Sequence, residues 1–96
     1  MGVRDRLIER RLDDVGRRLR KLREELRIVD EQLEHLSAEA DDTEIRALVS
    51  ESPMDESENR SARRHADAMA AHRARILGSI AELERRQDEL LDRYRH

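Results

Sequence analysis

The sequence predicts an all-α protein, an antiparallel helical hairpin of the coiled-coil type, and three observations carry that expectation. From Ile8 to Ala40, the residues Ile8, Leu12, Val15, Leu19, Leu22, Leu26, Val29, Leu33, Leu36 and Ala40 follow at alternating steps of four and three. This is the a/d seam of a heptad repeat, with polar residues on most other positions. A second seam of the same spacing joins Ala62, Ala66, Met69, Arg73, Ile76, Ile80, Leu83, Gln87, Leu90 and Tyr94. Finally, charged residues make up 45% of the 96 while Tyr94 is the only aromatic, so the apolar bulk suits a thin seam rather than a globular core. A chain of this length forms one domain at most.

The first helix is expected over residues 4–39. Gly16 falls inside it at an e position, at a cost of about 1 kcal/mol relative to Ala, which a seam of this length can carry. Leu7 and Ile28 sit off the seam as single exposed apolar residues. Beyond Ala40 the large apolar residues change face, since Ile45, Leu48 and Val49 do not continue the Leu33–Leu36 stripe. Asp41-Asp42-Thr43-Glu44 has the spacing of a capping box. A turn is therefore expected after Ala40, and residues 40–52 form a tip with a short helix over 42–50; a bent continuation of the first helix is the alternative.

Ser52-Pro53-Met54-Asp55 is a stronger start signal, with serine at the N-cap, proline at N1 and an acid at N3. The second long helix is expected over 53–95. Folding back across a break at Ala40–Asp55 makes the arms antiparallel, and facing seam positions should have numbers adding to about 99. Leu26 then faces Arg73 and Leu12 faces Gln87. Arg73, in a seam position, should reach water along its stem or meet an acid such as Glu25.

One seam buries little against the entropy of ordering so many residues. The second helix carries extra apolar residues at e positions, among them Leu77 and Leu91, which widen the stripe formed by Ile76, Ile80, Leu83 and Leu90. These six residues are the expected interface of a homodimer, two hairpins joined as a four-helix bundle.

Charge is unevenly placed. Residues 1–28 hold ten Arg/Lys against six acids, residues 29–59 hold eleven acids against Arg46, and residues 60–96 hold nine Arg against six acids. The net values are +4, −10 and +3, an acidic tip on a basic stem. The expected function is a non-enzymatic interaction module, scaffold or adaptor, whose tip meets a protein partner through Asp41, Asp42, Glu44, Ile45, Leu48 and Val49.

Catalytic signatures are missing. The three glycines are scattered, no strained nucleophile turn is present, and no cofactor is expected. His65 and His72 are seven apart, outside any zinc-binding frame, and read as solvated seam-edge residues; His35 and His96 add nothing to them. Without aromatic platforms, and with acids interleaved throughout, no sequence-specific nucleic acid binding is expected. No apolar run is long enough to cross a bilayer, and position 6 is Arg where myristoylation wants Ser or Thr, so neither membrane insertion nor lipid anchoring is expected. The lack of cysteine is compatible with the cytoplasm. Lys21 is the only lysine among twenty basic residues, the bias that GC-rich coding produces, which points to a high-GC bacterium.

A helical hairpin with acids at its tip resembles the coiled-coil arm of bacterial factors that enter the RNA polymerase secondary channel, the Gre and DksA groups. The resemblance covers the architecture and the segment Asp41-Asp42-Thr43-Glu44. It implies a transcription regulator in which Asp41 or Asp42, with Glu44, approaches the catalytic magnesium. Those factors also use a separate globular domain, zinc-binding in the DksA group, and these 96 residues show no counterpart of it.

Overall fold

A computed structural model describes residues 2–95; Met1 and His96 lie outside the described residues. Two helices account for nearly all of it, α1 over Val3–Ser50 (48 residues) and α2 over Pro53–Arg95 (43 residues). Only Glu51 and Ser52 link them. The chain is a two-helix hairpin with no strand among the described residues.

α1 does not end at Glu39. It runs unbroken to Ser50, so the expected turn at Ala40 and the separate short helix over 42–50 are corrected to one continuous helix. The cause is visible in the burial pattern. Ala40, Thr43 and Ala47 are buried and extend the seam at the same steps of three and four. The repeat passes from large to small side chains without losing phase, and a reading that follows large apolar residues loses it there. The Asp41–Glu44 spacing caps nothing, because no helix starts at it.

Two bonds set the turn. The Glu51 amide donates to the Ala47 carbonyl at 3.0 Å, the last bond of α1, and the Glu56 amide donates to the Ser52 carbonyl at 3.0 Å, the first of α2. Between them Glu51 adopts φ 51°, the left-handed conformation that turns the chain out of a helix. Ser50 ties the two ends together. Its Oγ accepts from the Ser52 amide at 3.2 Å and donates to Asp55 Oδ2 at 2.5 Å. Pro53 is tolerated because the first helical residue has no intrahelical use for an amide hydrogen.

The short link also corrects the register. Glu9 meets Tyr94 and Asp30 meets Arg73, so facing numbers add to about 103 instead of 99. A fold-back centred between Glu51 and Ser52 requires that value. Arg73 is therefore matched with Asp30, its Nε donating to Asp30 Oδ1 at 2.5 Å, and not with Glu25.

The hairpin divides into two compact units, residues 1–26 with 75–96 and residues 27–74, here the terminal unit and the turn unit. The core of the terminal unit is large and apolar: Ile8, Val15, Leu19, Ile76, Ile80, Leu83 and Leu90 are all buried. The turn unit buries Val29, Ala40, Ala47 and Ala66 with Thr43. Thr43 Oγ1 lies 2.9 Å from the Ala40 carbonyl and 3.2 Å from Asn59 Oδ1, so its hydroxyl proton has an acceptor whichever way it turns.

Candidate protein-interaction surface

The turn unit presents the most exposed cluster of large apolar side chains. Ile45, Leu48 and Val49 are 61%, 74% and 82% exposed, and Met54, just past the link, is 71% exposed. Positions 45, 48 and 49 are three and four apart, so α1 places them on one face. The seam explains why they stay outside. Ala47 and Thr43 take the inward positions of the same turns, and the three apolar residues fall on the outer side. Sequence reasoning picked out these three but missed Met54, which occupies no seam position and has no apolar neighbour in sequence.

The expected acids Asp41, Asp42 and Glu44 lie on the same stretch of α1, exposed, and each is engaged by an arginine. Arg63 Nη2 reaches Asp41 Oδ1 at 3.3 Å and Glu44 Oε2 at 3.5 Å. Arg46 Nη2 reaches Asp42 Oδ2 at 2.7 Å, with Arg46 Nη1 4.0 Å from Glu58 Oε2. The hydrogen bond from Arg46 to Asp42, then the charge of Asp42, raises the Arg46 guanidinium above its ordinary value. Pairs this exposed contribute little stability, roughly 0–1 kcal/mol each, so a partner can replace them at small cost. Asp41 lies nine residues before Ser50, about 13 Å along the helix. These acids flank the apolar cluster and do not cap the turn; the acids nearest the link are Glu51, Asp55 and Glu56.

In the terminal unit, four of the six expected dimer residues already serve the hairpin. Ile76, Ile80, Leu83 and Leu90 are buried in the seam against α1, since they occupy its a and d positions. Leu77 is 39% exposed and Leu91 half-buried, which leaves only the e positions to a partner.

Among the described residues no group of three or more His, Cys, Asp or Glu is placed to hold a metal ion. His65 and His72 are both exposed on α2. One groove of the turn unit passes Leu36, Glu39, Thr43, Arg46, Glu58 and His65. Among the described residues no helix is long and apolar enough to cross a membrane. Comparison of the chain with protein-family models, with curated protein sequences and with solved structures finds no match.

Proposed function

We propose that this protein is a non-enzymatic coiled-coil module, a scaffold or adaptor that pairs with itself as a four-helix bundle and offers the turn end of its hairpin to a protein partner. One observation supports the reading above others. Ile45, Leu48, Val49 and Met54 stay more than 60% exposed in a chain that otherwise keeps most of its large apolar side chains at the seam. Fully burying such a side chain is worth roughly 1.5–3 kcal/mol, so covering four of them drives association. The turn unit holds twelve acids against six arginines. The partner surface that fits is an apolar pocket with basic residues at its rim.

The test is a comparison of two baits in extract from the native cell. Wild-type protein and the variant Ile45→Ser/Leu48→Ser/Val49→Ser should show equal helicity by circular dichroism, because none of the three side chains packs in the seam. A protein retained by the wild type should be lost with the variant, and its direct binding should weaken at least tenfold in titration. Equal retention by both baits refutes the apolar turn end as the binding site.

A further inference from the structure

Antiparallel coiled coils commonly face opposite charges across the flanks of the seam. One flank of the terminal unit does the reverse. Arg4, Arg11 and Arg18 recur every seventh residue on α1, at g positions, and the same flank of α2 carries Arg86 and Arg93. The fold brings them together: Arg11, Arg18 and Arg86 border one groove, and Arg4, Arg11 and Arg93 border the next. Among the described residues Arg4, Arg11, Arg18 and Arg93 have no ion-pair partner, while Arg86 leans on Glu89 at 3.9 Å. Asp14 borders the first groove too, but Arg17 holds it at 3.7 Å. Like charges placed this way repel, and an external anion relieves them.

The chain itself carries a matching surface. Residues 28–45 of α1 include seven acids and no Arg or Lys; Asp30, Glu31, Asp41, Asp42 and Glu44 pair with arginines of the turn unit, while Glu34 and Glu39 have no ion-pair partner among the described residues. Glu34 and Glu39 are both exposed on α1, five residues and about 7.5 Å apart along the helix. The totals agree with this: the terminal unit has fourteen basic residues against eleven acids, net +3, and the turn unit six against twelve, net −6. A nucleic acid would meet the arginines but be repelled by the turn unit's negative charge. In a second copy that same charge is what attracts.

We propose that the arginine flank of the terminal unit docks a second copy of the chain through the acidic α1 surface of its turn unit. The contact is reciprocal about a two-fold axis, each copy giving one surface and receiving one. This rests on the homodimer of the proposed function and assigns that dimer to charge instead of to the α2 apolar stripe.

The experiment is sedimentation of the full chain at about 50 mM and about 500 mM salt, where screening lengths differ severalfold. Two charge-reversed variants accompany it, Arg4→Glu/Arg11→Glu/Arg18→Glu and Glu34→Lys/Glu39→Lys. Among the described residues none of these five side chains has an ion pair, so circular dichroism should show both variants folded. The wild-type dimer should weaken at least tenfold at the higher salt. Each variant alone should be monomeric, and an equimolar mixture of the two should recover the dimer mass. A dimer indifferent to salt and to both reversals overturns the charge assignment while leaving the homodimer standing. A wild type that is monomeric under all conditions removes both. Failure of the mixture to recover the dimer also overturns the assignment, as does loss of duplex DNA retention in the arginine variant with its mass unchanged.

Discussion

The two units of this hairpin use one repeat to different ends. In the terminal unit the seam positions are filled by Ile, Val and Leu except at Gln87 and Tyr94, and Leu19 and Leu90 are fully buried. In the turn unit the seam keeps Val29, Leu33, Leu36 and Met69 but then passes to Ala40, Thr43, Ala47 and Ala66, and the large apolar side chains Ile45, Leu48 and Val49 point outward. Burial scales with side-chain area, so stabilisation is concentrated in the terminal unit. Toward the link the turn unit has small residues, exposed ion pairs and a shared threonine proton in place of apolar bulk. The heptad period fixes where a helix packs, and the size of the residues on it decides which end is held firmly and which end can bind.

The most direct way to break this comparison is to truncate one residue in each unit. Leu90→Ala should cost about 3 kcal/mol, the transfer term plus the cavity left in a packed seam. Ile45→Ala, at an exposed position, should stay within about 0.5 kcal/mol. Thermal or urea unfolding of the two variants gives both numbers. If Ile45→Ala were as costly as Leu90→Ala, the turn cluster would already be covered, and the contrast between the units would vanish. Hydrogen exchange offers an independent check, with amides of Ala40–Ser50 opening at lower free energy than those of Val15–Leu22.

Much of the architecture was legible because the seam is written in large apolar residues from Ile8 to Leu36 and from Ile76 to Leu90. What failed did so where the signal is weakest. Ala40, Thr43 and Ala47 keep the phase but carry little hydrophobicity, so the helix looked finished at Glu39. Acids at Asp41 and Glu44 then resembled a cap, although the same spacing arises on any charged helix face. The misplaced turn moved the register by about four residues, one helical turn, which paired Arg73 with the wrong acid. For the candidate surface, Ile45, Leu48 and Val49 stood out because they are off the seam. The arginine flank did not, since Arg86 and Arg93 join Arg4, Arg11 and Arg18 only once the register is known.

A smaller effect sharpens the comparison at the link. Glu51 sits at φ 51° without being glycine, and a side chain there crowds the following carbonyl. Glu51→Gly should raise stability by about 0.5–1 kcal/mol, the strain removed less the extra freedom glycine has when unfolded. The midpoint of urea unfolding measures it. Because the change also removes a charge from an acidic segment, Glu51→Gln is the control and should give less. A loss of stability in Glu51→Gly would mean that the turn is held by the Glu51 side chain and not by its backbone.

The smallest effect belongs to the open end of the terminal unit, where the apolar seam finishes in a polar contact. Tyr94 Oη donates to Glu9 Oε1 at 2.8 Å, joining the start of α1 to the end of α2. Ionising the phenol would break that bond and leave two anions side by side. The hydrogen bond, then the charge of Glu9, and more weakly Asp5, therefore raises the Tyr94 pKa above the ordinary phenol value of 10.0. The sign for stability follows. The folded value lies above the unfolded one, so the contact stabilises the hairpin fully below about pH 10 and is lost as pH rises through the folded value. Tyr94 is the only tyrosine and there is no tryptophan, so the phenolate absorbance band reports it alone. The titration midpoint should lie above 10 in the wild type and fall in Glu9→Gln, where the charge is gone. An identical midpoint in both would show that the ends of the two helices separate in solution, and that the firm part of the terminal unit begins further in, at Ile8 and Leu90.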